Sequence, residues 1–547
     1  MSENETGGAG PAWRQQPELL AGAGLLGLFL LLKTYGLQPA ASDENIYFYL
    51  AARAAEGVLP YRDAFFAHPP VHLLPGTLLA LLFSPGLLLF KTIAPLSAAG
   101  AGLLLWRVAH RRLGRLEGLL TLLLFLSAHD LLRASSHHTG VNLGLLLLCL
   151  GLYLLDREKE VWAGVAIAGS ALTAFYLAPA GAALALVHLY RDRRRGLRLI
   201  ASGTAAFLAV NLLFLLVAGG AYWDQVYGYH LKKPEVEDAI WGAIKPVTFR
   251  NATLIWALAM APGALLARHL LEGRKKGEGR GPPLPRLLLE AGAMVLATLL
   301  LLSLLGRLYH FYFLAGFPGL ALLGGWGYGA MLRRLAEVHT RREEAGHDRR
   351  MVAGLLLCLL GLGAFALRQA ALSGLSWYQE EKGQVRAYVW TPSPVLPSWV
   401  DGGLKAVFWK EQRTIGGFSL GLHQYLWHES RVFEAGEALA REVQARVPPG
   451  GTLFGDSTSV PLIALLADRH LANHEADTNF MRFRSGVTPT RDFLDRLAAA
   501  PPAAVILRPG RGVATVPGIQ GWVDTHYRVV HQESDPYQGR YLLYLPR

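Results

Sequence analysis

The chain has 547 residues, of which 52% are hydrophobic and 17% charged, against about 25% charged in an average soluble domain. The 53 Lys and Arg outnumber the 41 Asp and Glu to give +12, but the apolar residues run in Leu-, Ala- and Gly-rich blocks, so these charges read as loop charges and not as a nucleic-acid face. An ordinary soluble enzyme is excluded, and the two cysteines, Cys149 and Cys358, both inside Leu-rich runs, exclude a disulfide framework and a Cys-based zinc site.

Residues 1–17 form a polar leader, read as cytoplasmic, before a first apolar run at Leu19–Leu32 that extends toward Leu37. Ala40 and Ala41 imitate a signal-peptidase site, yet the spans that follow make an uncleaved helix the simpler reading. Further spans are predicted at Pro85–Trp106, Leu116–Leu132, Val141–Leu155, Val161–Leu177, Ala178–Leu189, Ile200–Gly219, Ala252–Leu271, Leu287–Leu305, Phe311–Leu332 and Met351–Leu367, eleven in all. The pieces at 161–189 are short and meet at Ala178-Pro179, so a tilted or re-entrant hairpin fits them as well as two full crossings. Loops at 107–115, 157–159, 191–198, 268–286 and 333–350 carry 23 Lys and Arg, while the opposite side carries nine, mixed with acids. The basic loops are therefore expected in the cytoplasm, with the first large loop (38–84), the 220–250 loop and the tail outside. Beyond residue 370 the composition becomes that of a soluble domain. Strands at Thr452–Gly455 and Ala503–Leu507, with helices at Ser459–Ala467 and Thr490–Ala499, predict a small α/β unit. Its Gly455-Asp456-Ser457 turn reads as a helix N-cap or, less simply, as a ligand loop at the carboxyl end of a strand.

Ionisable residues collect at the outer edge of the spans, where burying them is costly unless something needs them. The stretch Ser42-Asp43-Glu44-Asn45-Ile46-Tyr47-Phe48-Tyr49-Leu50 opens a helix that Gly57 would close, with Ile46, Tyr49, Leu50 and Arg53 on one face, the pattern of an interfacial amphipathic helix. In its first turn Asp43 and Glu44 either complement the helix dipole or supply a general base held ionised by it. The loop ends in Tyr61-Arg62-Asp63-Ala64-Phe65-Phe66-Ala67-His68-Pro69-Pro70, where the prolines force an extended chain and hold His68 near the membrane edge. Lys232 and Lys233 lie in the 220–250 loop, and Arg307, Tyr309 and His310 precede a late span. These groups read as an interfacial belt or as ligands for a lipid phosphate. His129-Asp130 and His137-His138 make another outer-edge cluster, but without a zinc spacing, and a hydrated loop or acceptor wall is the simpler reading.

Together the acidic pair, the stretch Glu56-Gly57, Pro60-Tyr61 and Asp63, and His68-Pro69-Pro70 resemble the first outer loop of the GT-C glycosyltransferases, the family that includes protein O-mannosyltransferases and the aminoarabinose transferases of lipid A. The resemblance extends over most of residues 18–370 in span order, mid-chain hairpin and aromatic approach to a late span, while the tail matches in kind. It implies a polytopic α-helical membrane protein of GT-C type, with a transmembrane domain at 18–370, the first outer loop at 38–84 and an outer α/β domain at 371–547. It further implies transfer of a sugar, with inversion, from a polyprenyl-phosphate donor to a hydroxyl of a lipid, glycan or protein acceptor, at the outer face of an inner-membrane protein with no nucleic-acid partner. On this reading Asp43 is the general base, with Glu44 as its catalytic neighbour or as a ligand for the acceptor or a metal, and Arg62, His68, Lys232, Lys233, Arg307, Tyr309 and His310 bind substrate. No cofactor and no metal ligand set is implied, and a divalent-ion requirement stays open. His68 stands where many members carry Lys, a departure from a fixed cation on the donor phosphate. The alternative is a transporter or flippase of a lipid-linked or anionic substrate, which should show internal repeats and midmembrane charges; the sequence displays neither.

Overall fold

The computed structural model describes residues 17–83, 86–234, 286–305, 308–340, 392–408, 433–535 and 538–547, with a few isolated positions between 243 and 255. The leader up to Gln16, almost all of the expected Ala252–Leu271 span, the expected Met351–Leu367 span and Arg307 lie outside the described residues. Four described helices are long and apolar enough to cross a membrane: Pro17–Leu37, Leu87–Arg112, Arg193–Ala218 and Arg286–Leu304. Shorter helices at Arg115–Leu126, Val141–Asp156, Glu160–Ala171 and Ala178–Arg191 pack among them, with a longer one at Phe317–Thr340. The chain is thus a polytopic helical membrane protein, and it ends in a sheet-containing domain.

Three boundaries differ from the sequence expectation, each for a local reason. The expected Leu116–Leu132 helix stops at Leu126, because Ala128 is extended, and a separate short helix follows at His129–Ala134. The expected Ile200–Gly219 helix begins at Arg193, since the Asp192 carboxylate accepts the Arg195 N–H at 3.1 Å and caps it, drawing a stretch expected as loop into the first turns. The late span begins at Phe317, behind a 3₁₀ segment at His310–Gly316. At 161–189 the chain forms a hairpin whose arms are joined through the 3₁₀ turn Phe175–Leu177. Its first arm touches the Arg193–Ala218 helix backbone to backbone: a Cβ on Gly164 would stand 2.8 Å from the Gly203 nitrogen, the close approach that small residues give membrane helices.

Charges at one end of the bundle neutralise one another. Asp156 takes Arg111 and Arg112, Glu117 takes Arg333, and Glu290 takes Arg286 at 2.7 Å and His188 at 3.0 Å. At the other end stands the first loop, whose helix, Glu44–Ala55, is closed by Gly57 at φ +96° with its N–H on the Ala54 carbonyl at 3.1 Å. Its pattern predicts one buried face, yet every residue from Glu44 to Ala51 is buried. The carboxy-terminal domain covers the second face. There Tyr49 Oη accepts the Leu471 N–H at 2.7 Å, and the Asn45 amide donates to the Thr458 carbonyl at 2.7 Å.

That domain holds a five-stranded sheet of β1 (Thr452–Gly455), β2 (His470–Leu471), β3 (Ala504–Leu507), β4 (Tyr527–Asp535) and β5 (Gly539–Pro546), ordered β2-β1-β3-β5-β4. β2, β1 and β3 are parallel, and the β4–β5 hairpin joins β3 antiparallel. Helices Glu434–Arg446, Val460–Ala467, Thr490–Ala499 and Ile519–His526 accompany it. The turn after β1 is closed from within: Asp456 is buried and accepts Arg508 Nε at 2.8 Å and the Thr458 N–H at 3.2 Å, while the N-cap of the following helix is Ser459, with no side-chain cap bond, and not the expected Asp456 or Ser457.

Candidate active site

The site gathers on the buried end of the first loop. Tyr61 takes φ +70°, rare for a bulky residue, and is held there by three bonds of its own and one from its Gln225 partner to Phe66. Its N–H reaches the Ala64 carbonyl and its hydroxyl the His68 carbonyl, both at 2.8 Å; Gln225 donates to the Tyr61 carbonyl at 2.8 Å and accepts the Phe66 N–H at 2.9 Å. The extended run behind it delivers His68 to Tyr47, with His68 Nε2 and Tyr47 Oη 2.9 Å apart. From the segment after the Arg193–Ala218 helix, His230 Nε2 donates to the Ala67 carbonyl at 2.7 Å. Its other ring nitrogen accepts Lys233 Nζ at 3.2 Å, and that ammonium lies 4.4 Å from the Tyr229 ring centroid.

Asp43 is the N-cap of the Glu44–Ala55 helix, its carbonyl accepting the Ile46 N–H at 3.1 Å while its side chain makes no cap bond, and it is exposed, whereas Glu44 is fully buried. The two carboxylates diverge. Glu44 pairs with buried Lys91 and accepts the His138 N–H at 2.9 Å, while the Asp43 charge reaches Tyr47 and Tyr229. Burial raises both phenols well above their usual range, and the charges of Asp43 and Asp477 push them further in the same direction. Tyr309 and Tyr312 act on Tyr229 as well, so the late-span approach belongs to the same site.

Four imidazoles line up through it. Ring centroids of His230 and His68 are 6.0 Å apart, His68 and His72 5.1 Å, and His72 and His138 5.0 Å. Burial lowers all four, with His230 and His138 both brought down to about 4, so they are neutral at pH 7. His72 is fully buried with both ring nitrogens unbonded, packed against Gly140, whose φ is +79°. The fixed cation of the row is therefore Lys233, and His68 serves as a neutral group.

Of the residues singled out in the sequence, Asp43, His68, Lys233 and Tyr309 converge here. Arg62 is an exposed partner of Asp63 at 2.8 Å, and Lys232, next to Lys233 in the chain, is exposed. His310 opens the 3₁₀ segment, and Arg307 lies outside the described residues. His129-Asp130 is tied to Asn251, whose amide donates to the Asp130 carboxylate at 2.7 Å. Among the described residues no group of three or more His, Cys, Asp or Glu could hold a metal ion. Sequence reasoning missed Tyr47, His72, Tyr229, His230 and Asp477.

The whole chain superposes on the crystal structure of ArnT, the lipid A aminoarabinose transferase, from Cupriavidus metallidurans bound to undecaprenyl phosphate, with a TM-score of 0.59 and 16% identity over 95% of this chain and 97% of that one. The apo form of the same protein gives 0.60 at 15% identity over the same shares. This chain has the GT-C fold. The Archaeoglobus fulgidus oligosaccharyltransferase, in a complex with zinc and sulfate, superposes at a TM-score of 0.46 and 13% identity, over 95% of this chain and 73% of its own. No family model matches the sequence, and no curated protein does.

Proposed function

We propose that this GT-C protein transfers a sugar from a polyprenyl-phosphate donor to an acceptor hydroxyl on the outer side of a cytoplasmic membrane. The observation that carries the reading is the convergence of exposed Asp43 with Lys233, His68 and Tyr309 at one end of a bundle whose fold is that of a transferase crystallised with undecaprenyl phosphate. Asp43 accepts the proton of the acceptor hydroxyl; the acceptor oxygen bonds to the anomeric carbon with inversion as the bond from that carbon to the phosphate oxygen breaks. The phosphate leaves as the lipid monoester, its charge met by Lys233, which His230 and the Tyr229 ring hold in place. Neutral His68 and the tyrosine hydroxyls supply hydrogen bonds. Glu44, locked to Lys91, positions Asp43 and does not touch substrate. The basic-loop end faces the cytoplasm, and the first loop and the carboxy-terminal domain face out.

The test incubates the purified protein with a panel of polyprenyl-phosphate sugars and acceptors and follows release of the lipid phosphate. Release from at least one donor, abolished in Asp43→Asn, supports the reading; release that persists in Asp43→Asn rejects the base.

A further inference from the structure

The end of the bundle away from the first loop holds a cavity of about 200 Å³. Three helices, Leu87–Arg112, Val141–Asp156 and Ala178–Arg191, end around it, and Arg286–Leu304 begins there. Arg112, Asp156, His188, Arg286 and Glu290 give it a polar lining. Leu155 and Leu287 supply part of an apolar wall. A water takes about 30 Å³ of liquid, so the space is that of about seven waters, enough for a small head group.

The ion pairs at this end use only part of what their groups can bond. Arg112 spends Nε on the Asp156 carboxylate and Nη2 on the Asp156 carbonyl, and Arg111 does likewise. Arg286 spends Nε on Glu290 and Nη2 on the His188 ring. Nη1 of all three makes no hydrogen bond among the described residues, although a guanidinium carries five N–H donors. These three side chains keep 43%, 44% and 34% of their surface, so the spare donors are within reach of a ligand. Glu290 is the opposite case. Its side chain is 7% exposed, its contacts with Arg286 and His188 both fall on Oε1, and Oε2 has no hydrogen-bond partner among the described residues. A buried carboxylate oxygen without a donor is costly, and here it lines a cavity that also offers unused cationic donors. Arg191, one turn beyond His188 on the same helix face, is exposed and makes no ion pair among the described residues.

A purely anionic ligand would meet Glu290, and a purely cationic one the arginines. The lining suits a group that carries both signs, with a phosphate on the guanidinium donors and an ammonium a few ångströms away donating to Glu290 Oε2. The helix that brings Arg286 and Glu290 also exposes Leu289, Leu296 and Leu300, spaced by seven and four residues and hence on one face, a track for an acyl chain. We propose that this cavity is a phospholipid site, that it takes a phosphoethanolamine head group from the leaflet at the basic end, and that the seated lipid ties the four helix ends together. On the topology proposed above that leaflet is the inner one. The site is at the far end of the bundle from Asp43 and stands apart from the transfer chemistry. A free phosphomonoester is disfavoured, since it brings no ammonium for Glu290 and no chain for the leucine track.

The experiment uses the full chain, stripped of lipid in detergent, and titrates in phosphatidylethanolamine, phosphatidylglycerol, phosphatidylcholine and soluble glycerophosphoethanolamine, read by native mass spectrometry and by Tm. Phosphatidylethanolamine should bind about tenfold or more tighter than the other two lipids and raise Tm. Phosphatidylcholine loses because its quaternary ammonium has no N–H to donate. Glycerophosphoethanolamine should compete only at far higher concentration. Glu290→Gln should weaken phosphatidylethanolamine alone and erase the preference, a change of selectivity that a merely structural role would not give, while Arg112→Gln should weaken all three lipids. Leu155→Phe, which fills the cavity from its apolar wall, should abolish the binding and serves where Glu290→Gln does not fold. Equal retention of the three lipids, a preference for phosphatidylglycerol, a preference unchanged in a folded Glu290→Gln, binding intact in Leu155→Phe, or glycerophosphoethanolamine binding as tightly as the lipid would overturn the proposal.

Discussion

Asp43 and Glu44 are adjacent in sequence, but one is exposed at the site and the other is buried against Lys91, and their substitutions should therefore fail differently. On the proposed function Asp43→Asn removes the general base, and turnover should fall by about 10² to 10⁴ with donor binding and Tm unchanged. Glu44→Ala strands a buried ammonium, which costs about 3 to 5 kcal/mol of stability, and adding Lys91→Met should recover part of that loss in thermal unfolding. The imidazole row gives a pH test with a definite sign. In the unfolded chain these histidines take up protons near 6.5, whereas folded His138 and His230 wait until about 4, so the unfolded state binds more protons in between. Stability is full above 6.5 and falls as the pH drops toward 4; Tm should be lower at pH 5 than at pH 7.5, and the difference should shrink in His138→Asn. A Tm flat across that range would reject neutral histidines. Asp43, His68, Lys233 and Tyr309 were legible because each stands in a polar or aromatic motif beside a span. Asp477 was not: Glu475-Ala476-Asp477 looks like any loop, and its place at the site comes from a fold that brings it back to a residue 434 positions earlier.

Among elements, the Glu44–Ala55 helix shows how periodicity reports composition and leaves the partner unnamed. Its apolar stripe was legible, and the burial of its other face was not, because that depends on Val460–Ala467 arriving from a distant part of the chain. In the sheet, β3 is an unbroken apolar run and β1 a short one behind Gly450-Gly451, so both could be read directly, while β4, Tyr527-Arg528-Val529-Val530-His531-Gln532-Glu533, is a half-exposed edge strand whose mixed pattern gives no such signal. Backbone placement offers a further check at Gly140, which begins the approach to the Val141–Asp156 helix. Its φ of +79° disfavours a side chain, and a Cβ there would lie 2.6 Å from His72 Nδ1. Gly140→Ala should cost about 1 to 3 kcal/mol in unfolding measurements and displace the imidazole row, lowering turnover with it.

For the whole molecule, the separation of the tied basic end from the site end sets up a topology test: reporters fused at Arg195 and at Gly450 should fall on opposite sides of the membrane, and a common side would refute the map. Removing the chain from Phe433 onward should abolish both donor binding and transfer, because it uncovers the helix behind Asp43; donor binding that survived would show the first loop to be self-supporting. The bonds Asn45–Thr458 and Tyr49–Leu471 close loops of 413 and 422 residues. A ribosome working at roughly 5 to 20 residues per second needs roughly 20 to 80 s to travel that distance. Throughout that interval the Glu44–Ala55 helix waits with an apolar flank uncovered, and on the proposed function each newly made copy stays inactive until its own tail has folded back onto it.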